Sequence, residues 1–293
     1  MKPAPFKYIA ASSLEQALSL KAEYGDEAKF LAGGQSLMPA MNFRLAQPAI
    51  LIDINQIEEL AGIRPSDRGG SRIGALTRYR ALERDAGIIS DFPLLGEALP
   101  HIAHPQIRNR GSIGGNLSHA DPASELPAIA VALEARLRIQ SASSERWVAP
   151  PDFFLGSLTT DLGTDEMLVE IELPLPRPRT GSCFMEIARR RGDFAIVGVA
   201  AMVTLGEKSQ CSQIRLTFCG VGETPVDASS TAGLLVGHEV TEPAIAEVAH
   251  AIQRLIEPAG SVHATADYQR HIAGVLTERA LTTAHRRARD AGR

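Results

Sequence analysis

Two stretches of this chain carry residue types that could hold an anion. Leu31-Ala-Gly-Gly-Gln-Ser-Leu37 and Asn109-Arg-Gly-Ser-Ile-Gly-Gly-Asn-Leu-Ser-His-Ala-Asp-Pro-Ala-Ser-Glu125 each place paired glycines beside hydroxyl or amide side chains where a strand-like run ends. Gly-Gly backbone reaches positive φ and carries no Cβ, so successive N–H groups can converge on an oxyanion as a nest. Two nests in one domain would suit a diphosphate, which offers oxygens on both sides. Taken singly, each stretch reads equally well as an ordinary tight turn, because glycine marks turns generally.

Other chemistries find less support. The eight histidines are scattered, with no H-E-x-x-H and no paired cysteines, so no metal site is expected. The G-x-S-x-G elbow, the G-x-G-x-x-G fingerprint and the P-loop are all absent. Cys183, Cys211 and Cys219 lie in apolar, strand-like surroundings and read as reduced core thiols. Three thiols cannot supply a four-cysteine iron–sulfur site, so any such cluster must sit on another chain. His101, His104 and His119 gather around the second glycine stretch and read as groups that orient its backbone. Arg189-Arg-Arg191 beside Gly192-Asp-Phe194 reads as a solvated strand end, or alternatively as a cationic rim for a partner or acidic cofactor. No acid–base pair stands out in residues 180–293, and no catalytic residue is assigned.

The frame is that of a soluble multidomain chain. At 293 residues, with 44% hydrophobic and 22% charged side chains, it is long enough for two or three domains with sizeable cores. A formal net charge of −4 argues against a nucleic-acid surface. The basic run His285-Arg-Arg-Ala-Arg289 reads as a solvated helix end. No apolar run approaches the ~20 residues of a membrane span, and Met1-Lys-Pro-Ala-Pro lacks a signal-peptide core, so a cytoplasmic location is expected.

Three units follow from the patterning. In residues 1–56, Phe6–Ala10, Lys29–Ala32 and Ala49–Ile54 read as strands, and Ser13-x-x-Gln16 as a capping box opening a helix that Gly25 stops. A short helix or turn fills Pro39 to Leu45. The crossovers predict a sheet that is parallel in part. In residues 57–176, strands are expected at 72–76, 136–141, 145–148 and 166–173, with Thr77 capping a helix to Arg84 and Pro93 starting another to about Ile102. A segment around Ala128–Leu133 reads as helical and Pro151–Leu155 as a helical turn; the whole predicts an α+β unit with an antiparallel sheet. Pro174-Leu-Pro-Arg-Pro-Arg179 reads as a linker. In residues 180–293 three consecutive strands (182–190, 195–205, 212–219) precede two helices. Thr241 caps the first, with Ile245, Val248, Ala249, Ile252, Leu255 and Ile256 on one face. The second runs from Ala264 to Arg287 and carries Tyr268, Ile272, Val275 and Leu276 inward.

The two glycine stretches in this order, with His104-Pro-Gln-Ile-Arg-Asn before the second, resemble the FAD-binding medium subunit of the molybdenum hydroxylases. That family includes the carbon monoxide, nicotine and xanthine dehydrogenases. Arg190-Arg-Gly-Asp-Phe-Ala-Ile-Val-Gly-Val-Ala200 and Ser261-Val-His-Ala-Thr-Ala-Asp-Tyr-Gln-Arg-His271 are similar to its C-terminal domain, so the resemblance covers essentially the whole chain. It implies an α+β fold: a two-part FAD-binding module of the vanillyl-alcohol-oxidase type, followed by a C-terminal α+β domain with a three-stranded antiparallel sheet and helices. It also implies that the diphosphate loops are Ala32, Gly33, Gly34, Gln35 and Ser36, flanked by Leu31 and Leu37, and Ser112, Ile113, Gly114, Gly115 and Asn116. By the same resemblance Ile102, Asp121, Glu125, Leu168 and Phe194 contact adenine, ribityl chain or ring. Asp121 and Glu125 would accept bonds from hydroxyls, and Ile102 and Leu168 would offer apolar contacts. Phe194 stands where some relatives have tyrosine, and Met185-Glu186 where others place a lysine.

The implied function is electron transfer. Electrons released at a molybdenum pterin cofactor on a large subunit pass through two-iron two-sulfur clusters on a small subunit to FAD on this chain, and on to an external acceptor. The assembly expected is a dimer of heterotrimers. An alternative reading is a self-sufficient flavin oxidoreductase acting on its own small substrate; a third is a scaffold that has lost FAD.

Overall fold

The computed structural model describes residues 2–292. The first unit alternates strand and helix: β1 (Lys7–Ala10), α1 (Leu14–Tyr24), β2 (Ala28–Leu31), α2 (Leu37–Asn42) and β3 (Ile50–Asp53). Its sheet runs β1-β3-β2 and is parallel throughout, as crossovers through α1 and α2 require. The Ser13 hydroxyl accepts the Gln16 N–H, while the Gln16 side chain reaches back one residue further than a strict capping box, to the Ser12 N–H at 2.7 Å. Ala17 and Leu18 of α1 pack on Ile50 and Ile52 of β3.

The second unit contains β4 (Ile63–Pro65), β5 (Ser71–Gly74), α3 (Tyr79–Arg84), α4 (Ala86–Asp91), α5 (Pro93–Ala98), α6 (Pro105–Arg108), α7 (Ile113–His119) and α8 (Glu125–Ala132). After these come β6 (Arg136–Gln140), β7 (Glu145–Val148), α9 (Pro150–Phe153), a small hairpin β8 (Phe154–Gly156) and β9 (Thr159–Thr160), and β10 (Met167–Leu173). The antiparallel sheet is ordered β4-β5-β10-β6-β7. Ile73, Leu137, Ile139 and Ile171 form part of one core with the helices. Glu170 and Glu172 of the central strand are also buried, but beneath a plate of arginines: Arg64 pairs with Glu170, and Arg136 with Glu172 at 2.8 Å. The expected Thr77 cap does not form. Its hydroxyl is taken by Gly62, donating to the carbonyl at 3.1 Å and accepting the N–H at 3.0 Å, and α3 starts two residues later without a side-chain cap.

The third unit has β11 (Thr180–Ala188), β12 (Ala195–Leu205), β13 (Cys211–Cys219), β14 (Val226–Asp227), α10 (Ser229–Ala232), α11 (Glu242–Leu255) and α12 (Ala266–Asp290). The three expected strands pair antiparallel in chain order, and β14 adds a two-residue fourth, too short to show alternation in sequence. Two expected core residues point outward: Leu255, at the frayed end of α11, and Tyr268, in the first turn of α12, are both about half exposed. The stripe that α12 buries is mostly small: Ala273, Leu276, Ala280, Leu281, Ala284 and Ala288. Small residues are needed because this helix lies hard against β11, where a Cβ on Gly181 would stand 2.1 Å from the Ala284 carbonyl oxygen and 2.3 Å from the Ala288 nitrogen. Gly181→Ala should therefore lift the helix off the strand and cost about 3 kcal/mol in urea unfolding.

The two larger sheets are joined tightly. One face of the four-stranded sheet packs on α11 and α12, while Phe184, Ala200 and Met202 on its other face enter the core of the second unit. Polar bonds cross the same seam. The Thr217 hydroxyl donates to the Ala128 carbonyl at 2.9 Å, the Gly220 N–H to the Pro122 carbonyl at 2.8 Å, and the Phe184 N–H to the Glu97 carboxylate at 2.9 Å.

Candidate functional site

The two glycine stretches meet. Gly33 lies so close to the start of the second stretch that a Cβ there would be 2.3 Å from the Arg110 carbonyl oxygen and 2.9 Å from the Gly111 Cα. A Cβ on Gly115 would stand 3.7 Å from the Ala32 Cβ. Gly34 has φ +71, a conformation glycine adopts without strain. Among the described residues, no acceptor meets the N–H groups of Gly33, Gly34, Gln35 or Ser36, and this loop is partly exposed. Four successive N–H groups without a protein acceptor are what an anion nest would require of this loop.

The second stretch works differently. The Ile113 N–H bonds the Thr77 carbonyl at 3.0 Å, and the Gly114 N–H bonds the Ala75 carbonyl at 2.8 Å. Gly114 is there for close packing: a Cβ would fall 2.4 Å from the Ala75 Cβ. The Ser112 hydroxyl caps α7 through the Gly115 N–H, and Asn116 accepts the Ser124 hydroxyl at 2.8 Å. Ser112 is itself buried, so what this side offers a ligand is chiefly the exposed Gly115 and the half-buried Asn116 side chain.

A polar strut that the sequence motifs did not single out holds the loops together. Asn55 donates to the Ala32 carbonyl at 2.9 Å and the Leu31 carbonyl at 3.2 Å. Arg78 donates to Asn55 Oδ1 and to the Arg110 carbonyl, so one guanidinium spans both loops. Asp53 accepts from the Asn55 backbone at 2.8 Å and from the Tyr8 hydroxyl. Burial alone would raise the Asp53 carboxyl, but the Tyr8 and Asn55 bonds outweigh it and hold the group below the ordinary carboxylate range. The available signal was Asp53-Ile-Asn55 at a strand end, an Asx pattern that turns the chain under a neighbouring loop. Asn55→Leu should free two carbonyls and loosen the first loop, lowering ligand affinity about tenfold in a fluorescence titration.

The other expected contacts divide. Phe194 is exposed, beside the arginine-rich turn in which Arg189 and Arg190 both bond Asp193. Asp121 accepts the Ala123 N–H and sits directly before α8. Ile102 and Leu168 are buried in the core of the second unit, so their side chains offer a ligand little surface. Glu125 is buried too, and burial, then the charge of Glu186 on β11, push its carboxyl up to about 8. A cavity of about 350 Å³ opens nearby, lined by Pro100, His101, Glu186, Arg190, Arg191 and Gly192. His104 packs against Gly192, whose Cβ would be 2.5 Å from the ring. All three cysteines are free and buried. No group of side chains suited to a metal ion, and no helix long and apolar enough to cross a membrane, occurs among the described residues.

Comparison with known proteins gives the same picture along the chain. Residues 4–176 match the family described as FAD binding domain in molybdopterin dehydrogenase, and residues 182–284 the CO dehydrogenase flavoprotein C-terminal domain. The 6-hydroxypseudooxynicotine dehydrogenase complex subunit alpha of Paenarthrobacter nicotinovorans is 42% identical over 99% of this chain and 97% of its own length. A chain of carbon monoxide dehydrogenase from Hydrogenophaga pseudoflava superposes with a TM-score of 0.94 at 38% identity, covering 98% of this chain and 99% of that one. A chain of quinoline 2-oxidoreductase from Pseudomonas putida 86 gives 0.93 at 33% identity, with 98% and 99% covered.

Proposed function

The chain belongs to the FAD-binding medium subunits of the molybdenum hydroxylases, and on that premise we propose how its own residues hold the cofactor and what it exchanges electrons with. The residues fit the group: a diphosphate would meet four N–H donors without a protein acceptor, on a loop packed so closely on the second that a Cβ on Gly33 would strike the Arg110 carbonyl. In this reading Gly33, Gly34, Gln35 and Ser36 bind one side of the diphosphate, and Gly115 and Asn116 the other, with Ser112 capping the helix beneath them. Asp121 accepts from ribityl or ribose hydroxyls, and Phe194 covers one face of the ring by stacking. Leu31, Ala32, Leu37, Ile113 and the backbone at Ile102 and Leu168 shape the walls. Glu125, buried at the start of α8, supports the loop from within the core. FAD supplies the interchange between one- and two-electron chemistry, and the protein supplies orientation and field.

The observation that carries this reading is the direct contact of the two glycine loops, with free donors on the first. The three larger sheets, one in each part, support dividing the chain into residues 1–56, 57–176 and 180–293. We assign the partners as a small subunit with two-iron two-sulfur clusters and a large subunit with a molybdenum pterin cofactor. We assign the assembly as a cytoplasmic dimer of heterotrimers that discharges to an external acceptor. Native mass spectrometry of the complex isolated through a tag on this chain should find stoichiometric FAD and both partners. A folded chain that takes up no FAD would overturn the cofactor assignment, and FAD-loaded chain without partners the assembly.

A further inference from the structure

Arg108, at the end of α6, has a task that the nucleotide loops do not explain. It is 7% exposed, and its guanidinium works as a fork. Nε donates to Glu83 of α3 at 2.8 Å, while Nη1 donates to the Ile102 carbonyl at 3.0 Å and the Ala103 carbonyl at 2.9 Å. Glu83 is steadied in turn by Arg80 at 3.2 Å. Ala103 itself has φ +45, a left-handed conformation that its Cβ makes costly. Such a residue persists where its surroundings over-determine it, and two carbonyls gathered onto one buried cation do so here.

Peptide geometry fixes what faces the other way. No peptide bond among the described residues is cis, and across a trans peptide the C=O and the following N–H point in opposite directions. With the Ile102 and Ala103 oxygens turned onto Arg108, the N–H groups of Ala103 and His104 are turned away from it. Among the described residues neither N–H meets an acceptor. The turn that carries them lies against the third unit: a Cβ on Gly192 would stand 3.0 Å from the Ala103 oxygen and 2.5 Å from the His104 ring. His101 and Gly192 also line the cavity of about 350 Å³, and Phe194 follows directly after Asp193 in the same arginine-rich turn.

We propose that Arg108 is a positioning residue for the flavin: by holding two peptide planes in a strained turn, it presents the Ala103 and His104 N–H groups as donors to the carbonyl edge of the isoalloxazine. This rests on the FAD reading above. Two successive N–H groups suit neighbouring acceptors, such as a ring carbonyl oxygen and the nitrogen beside it. Donors fixed in place bind an electron-rich ring more tightly than an electron-poor one, so the pair also raises the flavin potential. Lysine at 108 would keep the charge without the fork, since one ammonium cannot serve Glu83 and both carbonyls as the planar guanidinium does.

Arg108→Lys and Ala103→Gly, made singly and together in the full chain, test this. Infrared spectroscopy of the FAD-loaded protein reads the flavin C=O stretches, which a hydrogen bond lowers. In wild type they should lie below those of a flavin in aprotic solvent. In Arg108→Lys they should rise, the flavin potential should fall, and the dissociation constant for FAD should increase about tenfold. Glycine takes a positive φ without strain, so adding Ala103→Gly should return the bands and the affinity part of the way. Ala103→Val, whose branched Cβ opposes this φ, should shift the bands as Arg108→Lys does with the guanidinium still in place. Unshifted bands in folded, FAD-loaded Arg108→Lys or Ala103→Val would mean that Arg108 serves folding alone and would overturn the proposal. Wild-type bands at the aprotic position would overturn the contact. A folded wild-type chain that takes up no FAD would instead overturn the flavin reading beneath it.

Discussion

Gly33→Val is expected to abolish FAD binding in a chain that still folds. The new Cβ would stand 2.3 Å from the Arg110 carbonyl oxygen and 2.9 Å from the Gly111 Cα, so backbone must move, and the loops must part. Parting them breaks the span that Arg78 makes between Asn55 and Arg110, and turns the free donors of Gly33 to Ser36 away from the second loop. A loss of more than 100-fold in affinity, about 3 kcal/mol or more, follows from misdirecting several charge-assisted bonds at once. Folding survives because residues 31–36 are partly exposed and the three principal cores lie elsewhere, apart from the flank of the first. Flavin absorbance after purification, with far-UV circular dichroism as the control, reads the result. Retained FAD in the folded variant would mean the diphosphate is held elsewhere. Gly114→Val separates the two glycine roles. Its Cβ strikes Ala75 beneath α7, so it should lower unfolding stability as well as flavin content.

Glu125→Gln carries the second large effect, and its direction is unusual for loss of a buried acid. The folded carboxyl is raised to about 8 from 4.5. A raised group contributes stability that is fully present below its unfolded value and is lost as pH rises through its folded value. Between pH 4.5 and 8 the unfolded chain releases a proton that the native chain keeps, so the native state loses ground throughout that window. Glutamine cannot ionise, so its burial carries no such cost at either pH. The variant should match wild type near pH 4 and exceed it at pH 8 by a few kcal/mol, since each tenfold change in proton affinity between the folded and unfolded chain is worth about 1.4 kcal/mol. Urea midpoints at the two pH values check it. A variant weaker at pH 8 than at pH 4, relative to wild type, would mean that Glu125 is ionised in the fold.

Much of this architecture was legible because it is local. Strand, capping Ser13 and stopping Gly25 predicted α1 to the residue, and the paired glycines in their order pointed to a dinucleotide. What the sequence hid depends on partners far along the chain. Thr77 looks like a cap until Gly62 is folded beside it. Leu255 and Tyr268 carry the right period, but each sits at a helix end where the neighbouring surface stops. Gly114 resembles Gly33 in sequence, yet one makes room for Ala75 and the other for Arg110. Asn55 and Arg78 lie in separate units, and their joint task of tying two loops exists only once those units dock. Glu125, expected by resemblance to accept from a sugar or ribityl hydroxyl, is buried at the start of α8, a burial set by the packing of the third unit that no local pattern announces.

The seam between the second and third units has a consequence for how this protein can be taken apart. Thr217 and Gly220 hold the segment Pro122–Ala128, and Phe184, Ala200 and Met202 fill the core above it. Cutting the chain at the proline-rich stretch after Leu173 would strip that cover, leaving α8 with bare hydrocarbon and a naked carboxyl on its outer side. The flavin module is thus no portable cassette: a grafter wishing to borrow its cofactor would have to transplant the C-terminal third with it.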